Sequence, residues 1–531
     1  MNFEFDTDLR HGRNLATMGA GVAMGDFNGD GFPDLFFTGS AANGKKPERG
    51  PCGALYRNRG DGTFEDVTLR SGIRSCGWKM GASWVDLDGE GHLDLLVTGV
   101  GKTEIWKNLG NGTFREVAAE RGLLAPGYAV GLAAGDVNGD GRVDLYVVGY
   151  LDTDYAKENS FGQFEVRVPE DYAGQEAKLN LQGPDGRFVE RAKEAGVLNT
   201  GGRGLSAVFF DYDGDGKPDL YVANDRTTNV LYHNRGDGTF ADVTVEAGAG
   251  KRDFKEARAG MGVAIGDLDG DGRPEIFVTN FAGEPKTLYR NVEGALFDDA
   301  TEASGIERAS LPYVEWGTDI VDLDDDGRPD LVMVSGHLVP KMIMSLARLF
   351  GSDNLGPYSR GDRSYKQPPV LYRNAGGGRL EDATVSSGDL ASLRLCARGL
   401  AAGDLDGDGR VDLVIAAVAG GVRVLRNATA SSGHVLEILP VAGADRRTVL
   451  GTKVIVTAGG VRQVQEFILR PSYASGAWVP LHFGLGGAAT ATVEVIPPGA
   501  IEPAMRFENV AAGRLYVLRD GALSERRAFR R

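Results

Sequence analysis

Asp26-Phe-Asn28-Gly-Asp30-Gly-Phe-Pro-Asp34 decides the fold. It reads Asp-x-[Asp/Asn]-x-[Asp/Glu]-Gly-x-x-[Asp/Glu], and the same nine-residue pattern returns six more times, beginning at Asp86, Asp136, Asp211, Asp267, Asp322 and Asp404. Oxygen donors at positions 1, 3, 5 and 9, with a glycine at 6 for the bend, suit a hard cation of Ca²⁺ size. The candidate ligands are Asp26, Asn28, Asp30 and Asp34; Asp86, Asp88, Glu90 and Asp94; Asp136, Asn138, Asp140 and Asp144; Asp211, Asp213, Asp215 and Asp219. The last three copies add Asp267, Asp269, Asp271 and Glu275; Asp322, Asp324, Asp326 and Asp330; Asp404, Asp406, Asp408 and Asp412. Several carboxylates crowded into one turn repel each other unless a cation is present. The loops are not EF-hands: position 12 holds no glutamate, and the flanks (Gly21-Val-Ala-Met-Gly25 before, Leu35-Phe-Phe-Thr38 after) read as strands, not helices.

The charge balance agrees. The formal net charge is −16, and seven divalent ions would bring it to about −2. The acidity is therefore ligand charge, and a pI near 5.0 argues against nucleic acid as a partner. No run of apolar residues is long enough for a membrane-spanning helix. The first residues, Met1 to Asp8, lack the basic and apolar regions of a signal peptide. A cytoplasmic chain is expected, or a secreted one if a leader has been removed. Cys52, Cys76 and Cys396 make no disulfide framework. Free buried thiols are expected, with a Cys52–Cys76 bridge as the alternative.

Around the acidic loops the chain repeats as strand, loop, strand, hairpin. The hairpins are similar too: Leu55-Tyr-Arg-Asn-Arg-Gly-Asp-Gly-Thr-Phe64, Ile105-Trp-Lys-Asn-Leu-Gly-Asn-Gly-Thr-Phe114 and Leu231-Tyr-His-Asn-Arg-Gly-Asp-Gly-Thr-Phe240, with Asp-Gly and Asn-Gly as turn signals. Such units predict an all-β, seven-bladed β-propeller over residues 1–428. A small β-domain at 429–520 and a solvated basic tail at 521–531 are expected to follow. The seventh unit lacks a fourth strand, and residues 2–6 are expected to supply it and close the ring.

Up-and-down topology puts the acidic loops on one face and two insertions, roughly 150–182 and 336–370, on the other. Long loops on a rigid scaffold often carry function. The second insertion includes an expected short helix at 341–350. The residues before each first strand should line an axial mouth on that far face: Met18, Trp78, Lys79, Tyr128, Arg203, Arg258, Glu315, Trp316 and Arg398. Cations, an acid and aromatics there suit a small polar or anionic organic ligand. Glu315 would serve as base, Lys79 or His337 as acid, with Arg398 beside them; Trp78, Tyr128, Arg203, Arg258 and Trp316 would hold the substrate. Asp152, Asp154, Tyr155, Tyr358, Arg360 and Lys366 could complete a lid. No Gly-x-Ser-x-Gly, His-Glu-x-x-His, P-loop or dinucleotide fingerprint is present.

The blades resemble FG-GAP (VCBS-type) repeats, as in the propeller of integrin α chains. Arg398-Gly-Leu-Ala-Ala-Gly-Asp404, Ser335-Gly-His337, Gln367-Pro-Pro-Val-Leu-Tyr-Arg-Asn374, Gly451-Thr-Lys-Val-Ile-Val-Thr-Ala-Gly-Gly460 and Leu481-His-Phe-Gly-Leu-Gly486 extend the resemblance to the cartilage acidic protein/ASPIC–UnbV family. One departure is Ile496-Pro-Pro-Gly499, where the family usually has Trp-Pro-x-Gly. The resemblance implies calcium binding and a C-terminal β-domain. It leaves two functional expectations. One is a natural-product enzyme working without a redox cofactor, by cyclisation, elimination or isomerisation. The other is an extracellular adhesion protein that binds protein or glycan in a calcium-dependent way.

Overall fold

In a computed structural model, the described residues are 18–39, 52–152, 169–250, 257–338, 364–419, 421–430 and 433–530. Among them the chain is built of strands, with only short helical turns between. Seven antiparallel units follow one another, numbered here as blades 1 to 7. Their first strands are Val22–Gly25, Lys79–Val85, Ala129–Gly135, Gly204–Phe210, Val263–Gly266, Glu315–Val321 and Cys396–Gly403. Each packs beside the next, and that of blade 7 packs beside that of blade 1, so the first strands form a closed ring. Blades 1 to 6 have four strands, and blade 7 has three among the described residues. The expected closing strand at 2–6 and the helix at 341–350 lie outside the described residues.

Each first strand runs directly into an acidic loop, and each second strand begins on the loop's ninth residue, as at Gly25 and Asp34. The third strands tie the blades together. The Asn58 backbone N–H donates to Asp34 Oδ1, while its side-chain amide donates to Pro33 O of its own loop and Leu405 O of blade 7. Asn108, Asn234, Asn291, Asn374 and Asn427 reach back in the same way to Phe27, Val137, Tyr212, Leu268 and Leu323. Gln182 takes the part in blade 3, reaching Leu87 O. Each amide satisfies a buried carbonyl of the neighbouring loop, which would otherwise cost free energy. Seven such staples run once around the ring.

The C-terminal domain is two four-stranded sheets. One contains Leu481–Gly486, His434–Pro440, Arg514–Arg519 and Ala522–Ala528; the other Val461–Phe467, Thr452–Ala458, Thr490–Ile496 and Met505–Ala511. The expectation of a solvated tail is corrected here: Ala522–Ala528 is an edge strand paired with Arg514–Arg519. Its arginines face the acidic loops, and that attraction holds it in place.

A hairpin of this domain, Arg470–Ser472 and Ser475–Trp478, enters the ring of first strands. Gly476 pairs in parallel with Ala23, and Ser475 with Ala82. Val22 N–H donates to Ser475 Oγ, and Thr318 N–H to Ser472 Oγ. Only small residues admit the hairpin so closely: a Cβ on Gly21 would lie 2.1 Å from the Ala474 carbonyl oxygen, and one on Gly399 2.6 Å from Ser475 Oγ. Two sulfur expectations divide. Cys52 and Cys76 form a disulfide, correcting the expectation of free thiols, because they stand opposite each other in one antiparallel β-bridge. Cys396 is a free buried thiol.

Candidate calcium loops and the axial site

The loops share one internal geometry. In all seven, the first aspartate accepts a hydrogen bond from the N–H of the sixth-position glycine, from Asp26 with Gly31 to Asp404 with Gly409. The glycines at positions 4 and 6 mostly have positive φ, which bends the backbone so that the acidic side chains converge. Carboxylate oxygens come within 4.8 Å of one another in four sets: Asp211, Asp213 and Asp219; Asp267, Asp269 and Asp271; Asp322, Asp324 and Asp330; Asp404, Asp406 and Asp412.

This donor set fits a divalent cation. Asp94 Oδ2 and Asp324 Oδ1 are buried without a hydrogen-bond partner. Burial pushes the ninth-position acids up: Asp144 and Asp330 to about 8, Glu275 to about 9 and Asp412 to about 7. The other acids of each loop add to that rise by repulsion, which a bound cation would reverse. When bound, Ca²⁺ would supply neutralising charge and a fixed oxygen geometry. Basic side chains share the fifth position, as Arg57 does with Asp30 at 3.2 Å and Lys217 with Asp215 at 2.5 Å.

The C-terminal domain sits on this acidic face. Arg526 lies 3.0 Å from Asp26, Arg446 3.1 Å from Glu90, Lys453 2.6 Å from Asp211 and Arg527 2.7 Å from Asp404. His482 sits between Asp325 at 3.5 Å and Glu437 at 3.6 Å, and those two carboxylates raise its pKa to about 10 against the effect of burial.

On the axis, the expected mouth residues are packed away. The Tyr473 ring meets Trp316 edge-on at 4.7 Å, and its hydroxyl donates to Met18 O. Around it lie Trp78, Tyr128, Met80 and Phe281 in one apolar cluster. The Arg398 guanidinium stacks on Trp316 at 4.1 Å, and both donate to Gly336 O. His337 packs edge-on to Phe281 at 5.8 Å, and its carbonyl accepts from Cys396. So Trp316, Arg398 and the 335–337 turn do converge, but beneath the hairpin tip.

Lys79 is engaged elsewhere, 2.7 Å from Glu104 and buried with it. Arg203 donates to Tyr172 O and Arg226 O, and Arg258 to Thr287 Oγ1. Glu315 is fully buried, its carboxylate oxygens have no hydrogen-bond partner, and burial raises its pKa to about 8 although Lys286 opposes the rise. Of the lid residues, Asp152 and Lys366 are exposed. Asp154, Tyr155, Tyr358 and Arg360 lie outside the described residues.

Two features escaped sequence reasoning. The staple asparagines each follow a basic residue or histidine at the end of the repeated hairpin strand, as in Tyr56-Arg57-Asn58 and Trp106-Lys107-Asn108, and that repetition was their signal. The hairpin Arg470-Pro-Ser-Tyr-Ala-Ser-Gly-Ala-Trp478 offered one signal only, a run of small residues around a single tyrosine.

With this geometry in view, the comparisons are consistent. FG-GAP-like repeat models match residues 26–97, 86–147 and 211–278, and an ASPIC and UnbV model matches 443–525. The class is an FG-GAP-repeat protein carrying an ASPIC/UnbV domain. The chain carries FG-GAP-like repeats and an ASPIC/UnbV domain, and proteins similar to it include cartilage acidic protein 1. The Homo sapiens protein is 28% identical over 334 residues, 61% of this chain and 44% of that protein. The Xenopus tropicalis protein is 24% identical over 56% of this chain and 42% of that protein. The chain thus spans less than half the length of these relatives. Among solved structures, BP39L lectin from Burkholderia pseudomallei aligns over 78% of this chain and 97% of its own, with 11% identity and a TM-score of 0.46.

Proposed function

We propose that this protein is a calcium-dependent binding protein, in which up to seven Ca²⁺ ions set the acidic face of the propeller on which the C-terminal domain docks. The observation that carries this is the convergence of three carboxylate oxygens within 4.8 Å in four separate loops. The seating of Tyr473 on the axis supports recognition on outer surfaces, for a protein or glycan partner, over chemistry in a central mouth. The test is metal content by mass spectrometry after dialysis against calcium, with a melting curve before and after chelation. Several ions per chain and a large fall in melting temperature are expected, because the ions bind the folded state alone. A chain that holds no calcium and melts unchanged would end this reading.

One observation favours a second reading, an enzyme without a redox cofactor acting on a small anionic substrate. Glu315 is a buried acid, raised to about 8 and without a hydrogen-bond partner, and such groups recur in acid–base catalysis. The test is mass spectrometry of small molecules incubated with the protein and with its Glu315→Gln variant. Turnover lost only in the variant would favour the enzyme, and no turnover by either would remove it.

A further inference from the structure

The C-terminal domain does not close flush on the propeller. Among the described residues it leaves clefts that include ones of about 410, 480 and 680 Å³. The 410 Å³ cleft lies under blades 4 to 6, against the strand Val461–Phe467 and the root of the axial hairpin. Its volume falls in the range of small-molecule sites, and its lining sets an apolar wall beside a dense group of charges.

The apolar part is Ile265, Ile320, Val464, Ile468 and Val479. The charged part is balanced in number: Asp211, Asp267, Asp269, Asp322 and Glu466 against Arg328, Lys453, Arg462, Arg470 and His482. Four of those five acids belong to the cation loops. Ions bound in those loops would offset part of that acidity and shift the field of the cleft towards the positive.

Arg470 is the base best placed to use that field. It stands at the root of the hairpin with 19% of its side chain exposed, and it lines the cleft. Its nearest acid, Asp319, is 3.7 Å away, beyond hydrogen-bond reach. A planar guanidinium with open donors beside an apolar wall matches a carboxylate or sulfonate in bidentate fashion.

We infer that this cleft binds a small organic anion with an apolar body, its acid group on Arg470 and its body against Ile265, Ile320 and Val464. The charge argument rests on the calcium reading above, which metal content judges separately.

The test uses the full calcium-loaded chain and the fluorescent amphiphilic anion 1-anilinonaphthalene-8-sulfonate, with decanoate and decylammonium as competitors. Expected is saturable binding at one site, displaced by decanoate and not by decylammonium. Val464→Trp, which fills the cleft, and Arg470→Gln, which removes the anion's partner, should each weaken it by about tenfold or more. Melting curves identify a variant that fails to fold, and the other variant then decides. Absent saturable binding, equal displacement by the cation, or unchanged affinity in a folded variant would overturn the proposal.

Discussion

His482 of the C-terminal domain faces Asp325 of the sixth acidic loop at 3.5 Å, and both are buried. At that fourth position six loops have glycine, from Gly29 to Gly407, whereas this one has an aspartate at φ +61°. A left-handed backbone costs a non-glycine residue about 1–2 kcal/mol. Here the strain buys a carboxylate for the domain contact. Asp325→Gly should relax the turn yet remove one partner of a buried cation, so a net loss of about 1–3 kcal/mol is expected in urea unfolding. His482 should also titrate lower in the variant. Unchanged stability and an unchanged histidine titration would remove the contact's importance.

Calcium and pH should act together. Asp144, Glu275 and Asp330 have folded pKa values of about 8, 9 and 8, above their unfolded values near 4. The folded, metal-free chain therefore binds protons more tightly than the unfolded chain. Its stability is highest below pH about 4 as far as these groups are concerned, and it falls as pH rises towards about 8–9. Bound calcium reverses this by favouring the ionised form. Chelated protein should melt lower at pH 8 than at pH 5.5, while calcium-loaded protein should not, as differential scanning calorimetry would show.

The staples can be tested singly. Asn374→Ala removes three side-chain bonds: two that its amide donates, to Leu268 O of blade 5 and Pro329 O of its own loop, and one that its Oδ1 accepts from Gly376 N–H. Leaving two carbonyls unsatisfied should cost about 2–4 kcal/mol. Hydrogen exchange should rise in blades 5 and 6 together, since the bond crosses between them. A rise confined to blade 6 would contradict an inter-blade role.

The axial tyrosine should behave as a core residue. Tyr473→Ala leaves a cavity beside Trp316 and frees Met18 O, and about 3–5 kcal/mol of destabilisation is expected. Tryptophan fluorescence should shift to the red as Trp316 meets water. Tyr473→Phe, which keeps the ring, should recover most of the loss.

The propeller was legible because its loops and hairpins are periodic: Asp26 and Asp404 follow the same rule from opposite ends of the ring. The convergence of acids within each loop was legible for the same reason, since each side chain acts within its own turn. The axial site was not. Strand direction placed Trp316 and Arg398 correctly near the axis, but what lies over them comes from residue 473, in a segment without repeat or pattern. The same holds for the docking of Arg526 and Arg527, where a run of arginines at the chain end reads as solvated until a partner surface is known.

The axial hairpin also bears on when this molecule can become native. Val22 and Ser475 are hydrogen-bonded across 453 residues of sequence. The innermost strand of the first blade thus gains its parallel neighbour only after all the blades between have left the ribosome. Blades can form in order as they emerge, but the axis stays open until the domain that carries the hairpin arrives to fill it. Contacts of such separation slow folding, and the waiting intermediate exposes Trp78, Tyr128 and Trp316. Mutations that delay the C-terminal domain should therefore harm the propeller first as aggregation, before any loss is seen in the finished protein.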